Sequence, residues 1–126
     1  MFWFLVFFKN QTMDDYLKSY LVVESASILA KGNGIPIFII KRGDPDSGVI
    51  YVKIDTLDGN VALLRRNLNY VIEKDKSFIE YVNLFPNQKA NNCEVNKRIK
   101  SEILIDPDCW IVEIEDKNGK NYFENI

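Results

Sequence analysis

Two short segments rich in aspartate carry the most obvious potential chemistry of this sequence. The first is Arg42–Gly48, with the sequence RGDPDSG, and the second is Asp106-Pro107-Asp108. Carboxylate oxygens are the ligands that hard divalent cations prefer, so a meeting of the two segments could create a site for a cation or a polar ligand. The residues that would contribute are Arg42, Asp44, Asp46, Asp55, Asp58, Asp106 and Asp108. The same residue types are common in turns and helix caps, and this structural interpretation is the favoured one.

A second candidate set lies on predicted strands. Lys53 and Arg65 fall on neighbouring strands, where they could form a cationic patch for an anion, and Tyr51 on the face of Lys53 could stack on an RNA base. Pairing of these cations with Glu113 or Glu115 is the favoured interpretation. Glu113 and Glu115 are themselves roughly 7 Å apart along one strand face, a spacing suited to acid–base chemistry on glycosides. A solvated face is the more common use of such a pair.

Residue types and motifs that are missing from the sequence exclude several kinds of catalytic and metal site. The chain contains no histidine, which excludes His-based nucleophilic triads and the usual zinc sites. Its two cysteines, Cys93 and Cys109, fit ordinary thiols better than a disulfide framework or a metal site. No phosphate-binding loop, dinucleotide fingerprint or nucleophile elbow is present. The sequence therefore predicts no cofactor and no metal, and it confines an enzymatic role to carboxylate or cation–oxygen chemistry.

The composition is that of one globular domain. Hydrophobic residues make up 47% and charged residues 27% of the 126 positions, and a chain of this length buries enough surface to fold without disulfides. The net charge is −2, with acids and bases interspersed, which argues against nucleic acid as a partner. The 13% aromatic content is typical of cores and interfaces, so a protein partner or a homo-oligomer stays open.

The chain starts with an apolar run, Phe2–Phe8. The run is too short for a membrane span of about 20 residues, and it lacks the basic start and the cleavage site of a signal peptide, so we expect no membrane partner. Three interpretations stay open: an added strand, an exposed sticky segment, or residues upstream of a translation start at Met13. We divide the chain into a non-native or flexible extension, 1–12, and one domain, 13–126, whose first helix is capped at Asp14-Asp15.

Hydrophobic periodicity predicts one helix and three strands in the first half of the domain. The helix covers 15–31, and the strands cover 35–41, 49–55 and 60–66. The strand at 35–41 is nearly all apolar, which is typical of a central strand covered on both faces. Arg42–Gly48 and Asp58-Gly59 are rich in turn residues, so the three strands are predicted to form an antiparallel meander.

The second half is less regular. Residues 67–90 receive no assignment, although Phe78–Val82 fits either a strand or a helical turn. Asn91 or Asn92 caps a second helix that stops at Asp106. An alternating strand follows at 110–115, and Asn118-Gly119 predicts a hairpin to a last strand at 121–124.

These elements predict an α+β domain with a mostly antiparallel sheet of about five strands, a meander plus a C-terminal hairpin. Both helices are expected on one face of the sheet, because that arrangement buries one apolar face of an antiparallel sheet. The buried face is predicted to carry Ile50, Val52, Ile54, Trp110, Val112 and Ile114.

Three segments in order resemble the signature segments of domain-of-unknown-function family 1491. They are Arg42–Gly48, Val52–Gly59 and Asp106–Asp116, and the resemblance runs from about Leu17 to near the C-terminus, with a poor match over 67–90. The family is found mainly in alphaproteobacteria, so the resemblance implies a small bacterial cytoplasmic protein and implies no activity. Family members start near the position of Leu17, which favours a non-native origin for residues 1–12.

Three hypotheses for function follow. The leading one is a non-catalytic interaction or regulatory domain, because no catalytic set is recognisable and aromatic residues are abundant. The alternative is a small hydrolase or ligand-binding enzyme that uses the aspartate-rich loops with a divalent cation. The third is weak RNA binding through Tyr51, Lys53 and Arg65.

Overall fold

The computed structural model describes residues 17–126. The helices are α1, Ser19–Gly32, and α2, Asn92–Ile105, and the strands β1 to β5 are Ile37–Lys41, Ile50–Asp55, Val61–Val71, Lys76–Asn83 and Trp110–Glu115. A 3₁₀ turn at Ile72–Lys74 joins β3 to β4. The predictions for residues 1–12, for Met13 and for a cap at Asp14-Asp15 lie outside the described residues.

The five strands form one mixed sheet in the spatial order β1-β5-β2-β3-β4. β5 lies between β1 and β2, antiparallel to the first and parallel to the second. The predicted hairpin across Arg42–Gly48, and with it the full meander, is wrong, because this segment crosses to a strand two positions away. The expected antiparallel character holds for three of the four strand pairs. Alternation along a strand specifies its two faces but not its neighbours, so the sequence pattern did not reveal the insertion of β5.

The hairpin of β3 and β4 is much longer than predicted. β3 continues to Val71 instead of stopping at 66, and the unassigned region supplies β4, which pairs with it from Asn83 to Lys76. The part of this hairpin beyond Arg66 and Tyr81, residues 67–80, is called the arm below. The arm is regular in hydrogen bonding, yet Leu68, Tyr70 and Phe78 are all exposed. Residues 67–70 alternate polar and apolar, but the apolar residues of β4, Phe78, Ile79, Tyr81 and Val82, do not alternate regularly, so the pairing of the two was not apparent.

The predicted last strand at 121–124 is also wrong. These residues form turns after β5, and Tyr122 and Phe123 are buried in the core that contains α1. The turn at Asn118-Gly119 does form, with the N–H of Gly119 donating to the carbonyl of Asp116. The chain then packs its aromatic side chains against the sheet instead of adding a strand, so the number of strands agrees with the prediction while their identity does not.

The two helices pack on opposite faces of the sheet, and the prediction of one shared face is wrong. α1 buries Val22, Val23 and Ala26 against the face that carries Val52 and Trp110. α2 buries Val95 and Ile99 against the other face, which carries Tyr51, Leu63 and Ile111. Because β2 and β5 are central, both faces of these strands are apolar and each needs its own cover. Among residues 17–126, no helix is long and apolar enough to cross a membrane.

The two helices begin in different ways. α2 has the predicted cap: the Asn91 side chain accepts from the N–H of Glu94, whose carboxylate accepts from the N–H of Asn91. The cap at Asn91 is confirmed, and the structure adds the reciprocal bond from Glu94 that makes it a capping box. α1 has no side-chain cap, and the N–H groups of Ser19 and Tyr20 instead donate to the carbonyls of Asp46 and Pro45. The Arg42–Gly48 loop therefore satisfies the start of α1 with its own backbone.

β1 is an edge strand, which overturns the prediction of a central strand covered on both faces. β5 pairs with one side of it, and no strand among residues 17–126 pairs with the other. Phe38 is 48% exposed, Ile39 38% and Ile40 57%. The ladder is irregular between Ile39 and Lys41. Three consecutive large apolar residues thus lie exposed at an open sheet edge, where natural proteins usually place charges.

Candidate functional site

The two aspartate-rich loops do meet, and they meet through backbone atoms. The N–H of Asp44 donates to the carbonyl of Asp108 at 2.8 Å. Lys41 Nζ donates to the carbonyls of Pro107, at 2.5 Å, and Cys109, at 2.9 Å. A Cβ atom on Gly43 would overlap the carbonyl of Asp108. We call this contact between Arg42–Gly48 and Asp106–Trp110 the loop junction.

Trp110 and Ser19 complete the loop junction. The indole N–H of Trp110 donates to the carbonyl of Asp44 at 2.7 Å, and the ring is only 2% exposed. The Ser19 hydroxyl donates to the carbonyl of Gly48 at 2.6 Å. These bonds link β5, the Arg42–Gly48 loop and the start of α1, so the loop has a structural role that its turn-like composition conceals.

The aspartate side chains of the junction are used locally. The Asp44 carboxylate accepts from the N–H and the hydroxyl of Ser47, and these hydrogen bonds hold its pKa below the usual range. Asp46 lies 3.6 Å from Lys18 in an exposed ion pair. The Asp106 carboxylate accepts from the N–H of Asp108. The loops therefore converge without bringing these predicted site carboxylates around a common centre.

Asp58 lies elsewhere, in the turn between β2 and β3. Its carboxylate accepts from the Thr56 hydroxyl at 2.6 Å and from the N–H of Asn60. The hydrogen bond from Thr56 is the main cause of a lowered pKa for Asp58. Asp58 is therefore engaged within its own turn and shares no hydrogen-bond partner with the loop junction.

Asp55 joins a different set of carboxylates. In the described part of the chain, the group of acidic side chains close enough to share an ion consists of Asp55, Glu113 and Glu115, with oxygens within 4.8 Å of one another. The parallel pairing of β2 with β5 places these side chains side by side. Asp55 already accepts from the N–H of Leu57 at 2.8 Å. This trio joins the predicted glutamate pair to one of the predicted aspartates, and it lies on the α2 face.

Lys53 supplies the countercharge of this trio. It is 6% exposed, and its Nζ lies 3.4 Å from Glu113 and donates to the Asn96 side chain of α2 at 3.0 Å. A buried ammonium group is stable only when it is paired and hydrogen-bonded in this way. The structure thus makes the pairing that the sequence favoured, but beneath a helix and not on an open face.

Arg65 lies on the same sheet face as Lys53, above Tyr51. Its guanidinium is 6.0 Å from the ring centre of Tyr51. The Tyr51 hydroxyl donates to Glu102 at 2.7 Å, and burial, followed by this bond, raises the pKa of Tyr51. The ring is 2% exposed and lies under α2. Tyr51 and Lys53 are therefore covered, which leaves only Arg65 accessible to a polyanion.

A groove between α1 and β1 was missed by the sequence reasoning, apart from Arg42. It consists of two adjoining cavities of about 450 Å³ and about 400 Å³ that share Tyr20, Arg42 and Trp110. The second cavity continues past Glu24, Lys31 and Ile39. We call this the α1–β1 groove. Its position depends on β1 being an edge strand, and no local sequence signal indicates that.

The two thiols differ in accessibility. Cys93 is exposed at the start of α2, and Cys109 is buried beneath the same helix. Burial raises the pKa of Cys109, which keeps it in the protonated and unreactive form near neutral pH. The described structure gives neither residue a disulfide partner.

Comparisons with known proteins give one family and several similar structures. The model of the family described as "Protein of unknown function (DUF1491)" matches residues 17–124. A crystal structure of a DUF1491 family protein from Caulobacter crescentus CB15 is 24% identical, covers 84% of this chain and 91% of its own, and has a TM-score of 0.65. An NMR structure of a DUF1491 family protein from the same organism is 22% identical, with coverages of 84% and 91% and a TM-score of 0.68.

The similarity extends to a second organism. The solution structure of protein Atu0922 from A. tumefaciens is 22% identical, covers 79% of this chain and 85% of its own, and has a TM-score of 0.64. At these identities the structural similarity shows a shared fold alone. No curated protein matches the chain.

Proposed function

This chain belongs to the DUF1491 family, and we propose that it is a non-catalytic interaction domain of the bacterial cytoplasm. Its binding edge is β1, which takes an extended, apolar peptide segment of a partner protein as an added strand. The observation that carries this proposal is the exposure of Phe38, Ile39 and Ile40 on a strand whose second side has no partner strand among residues 17–126. An apolar strand at an open edge is a template for pairing with another chain.

The backbone of β1 offers hydrogen-bonding groups for such a strand. The carbonyl of Pro36 accepts from the N–H of Glu115, and antiparallel ladders bond alternate residues to a given neighbour. Phe38 therefore bonds to β5, while the N–H and C=O groups of Ile37 and Ile39 point to the open edge. The irregularity after Ile39 ends the regular edge there. The edge thus fits a short peptide segment better than a long strand.

The size of the edge also favours a peptide over a second copy of the domain. Stable dimers bury at least about 1,000 Å² of total surface, which a rigid pairing of two five-residue strands does not reach. A flexible peptide can contact both faces of β1, with Phe38 and Ile40 on one face and Ile39 on the other. Alternate apolar side chains on the peptide would match this arrangement.

The alternative functions have weaker support. A hydrolase that uses the aspartate-rich loops would need their carboxylates to converge, yet Asp44 and Asp106 are each engaged in local turns. RNA binding by stacking would need an exposed aromatic ring beside the cations, yet Tyr51 is buried.

The test uses a blocked peptide with the sequence of β5, WIVEIE, because β5 already pairs with β1 in the fold. We expect saturable NMR shift changes at the amides of Ile37 and Ile39 in the full chain. Ile39→Lys should weaken binding at least tenfold, since a charge at the edge opposes strand pairing. Ile28→Lys is the matched control, because Ile28 is a 69% exposed isoleucine on α1 and should change nothing.

Three results would contradict strand addition at β1. One is the absence of saturable changes, the second is equal binding by Ile39→Lys, and the third is a set of shifts centred on β4, the other sheet edge. If two copies of the domain pair instead, sedimentation would show a dimer that Ile39→Lys dissociates, and the peptide-binding role would be withdrawn.

A further inference from the structure

We propose that the α1–β1 groove is a binding site for a small organic monocarboxylate with an aromatic or branched apolar body. In this site the guanidinium of Arg42 binds the carboxylate, and Tyr20 and Ile39 contact the apolar body. The inference does not rest on strand addition at β1. The two sites share Ile39, but recognition in the groove comes from Arg42 and from α1.

The groove has the size and lining of a ligand site. Its two cavities, of about 450 Å³ and about 400 Å³, fall within the range of roughly 300–1,000 Å³ that is usual for small-molecule pockets. Its lining includes the exposed ring of Tyr20, the side chain of Ile39 and the largely buried Trp110, together with charged groups. The cavity beside Gly43 is mostly apolar, and the one that continues past Glu24 and Lys31 is about half polar. Apolar walls with a few placed polar groups are typical of small-molecule sites.

Arg42 is the central charged group of the groove. Within residues 17–126 it forms no ion pair and no side-chain hydrogen bond, and its guanidinium lies 5.8 Å from the ring centre of Trp110. The Trp110 ring is fixed by its bond to the carbonyl of Asp44. A guanidinium that rests on a fixed aromatic ring with its donors unused is prepared for a carboxylate, which it can bind with two parallel hydrogen bonds.

The start of α1, at one end of the groove, contributes no free donors. The N–H groups of Ser19 and Tyr20 are bonded to the carbonyls of Asp46 and Pro45, and those of Leu21 and Val22 are bonded to Lys18. Recognition of an anion must therefore come from side chains, and Arg42 is the cation that lines both cavities.

The remaining charged groups of the groove favour a ligand with a single negative charge. Lys31 and Glu24 both line the second cavity, and neither forms an ion pair among the described residues. Glu24 opposes a second anionic group on the ligand, while Lys31 offsets that repulsion in part. A monocarboxylate is thus favoured over inorganic phosphate or a dicarboxylate.

The experiment titrates the full chain with 3-phenylpropionate and, separately, with its neutral analogue 3-phenylpropanamide. We expect saturable NMR shifts at the amides of Tyr20 and Gly43 with the acid, and binding of the amide about tenfold weaker, the scale of one charge-assisted hydrogen bond. Arg42→Gln should weaken binding of the acid by a similar factor. Arg65→Gln, which removes a guanidinium from above the ring of Tyr51 outside the groove, is the matched control and should leave binding unchanged.

Several outcomes would overturn the proposal: no saturable shift at millimolar acid, equal binding of acid and amide, or unchanged binding by Arg42→Gln. The acid–amide comparison uses the unmodified chain, so it decides the question even if Arg42→Gln folds poorly. Inorganic phosphate should fail to displace the acid, and Glu24→Gln should make phosphate a better competitor. Equal displacement by phosphate in the unmodified chain would replace the monocarboxylate site with a general anion site.

Discussion

The loop junction and the arm differ in how tightly they pack, and the difference is the reverse of what their sequences suggest. The loop junction is made of glycine, proline, aspartate and serine, yet backbone and side-chain hydrogen bonds lock it against Trp110. The arm is made of strand residues with a regular ladder, yet Leu68 and Phe78 are more than two-fifths exposed. Local composition predicts backbone geometry well, but how tightly a segment packs depends on which distant segment covers it.

The largest expected difference between the two regions is the effect of removing an aromatic ring. Trp110→Ala should lower the free energy of unfolding by about 3–5 kcal/mol, because it empties a core position and removes the bond to Asp44. Phe78→Ala, on the arm, should cost less than about 1 kcal/mol, since the ring is half exposed. Chemical denaturation of both variants is the measurement. Equal shifts of the two midpoints would contradict the comparison.

A smaller effect is expected from filling the space at a glycine of the loop junction. Gly43→Ala would force a methyl group into the carbonyl of Asp108, and such overpacking costs about 1–3 kcal/mol. Gly32→Ala is the control, because a methyl group there meets nothing within 4 Å. Thermal unfolding should show a lower midpoint for Gly43→Ala only. An unchanged midpoint for Gly43→Ala would mean that the two loops are free to separate.

The smallest expected effect is on the pH dependence of stability. The hydrogen bonds from Ser47 lower the pKa of Asp44 in the folded state, so the folded protein binds this proton less readily than the unfolded chain does. The stabilisation is therefore present above the ordinary aspartate pKa and is lost as the pH falls through the lowered value. Asp44→Asn should flatten the acid side of the stability profile. The arm variant Phe78→Ala, which removes no titratable group, should leave the shape of that profile unchanged.

Much of the local structure could be predicted from the sequence, because local patterns specify it. The capping residue at Asn91 or Asn92 indicated the start of α2, and the alternation at 110–115 indicated β5. The neighbours of β5 could not be predicted, since the pairing of Ile37 with Ile114 involves distant residues. That single unknown led to the wrong meander, the wrong position for β1 and the wrong face for α2.

The candidate sites show the same contrast between local patterns, which the sequence reveals, and long-range pairing, which it does not. The meeting of the two aspartate-rich loops was one of the alternatives the sequence left open, and the loops do meet, yet the carboxylates turn into local hydrogen bonds that only a three-dimensional structure reveals. The acidic trio of Asp55, Glu113 and Glu115 depends on parallel pairing of β2 with β5. The α1–β1 groove depends on the edge position of β1. Each of these results from long-range topology and not from a motif.

The central position of β5 has a consequence for biosynthesis. The strand that β1 and β2 both require is made last among the five, and the Trp110 bond to the loop after β1 spans 66 residues. A nascent chain that has emerged only as far as α2 holds β1 without any partner strand. Assembly of the α1 side of the core therefore requires β5 to be synthesised first, and pairing of such distant residues is slow.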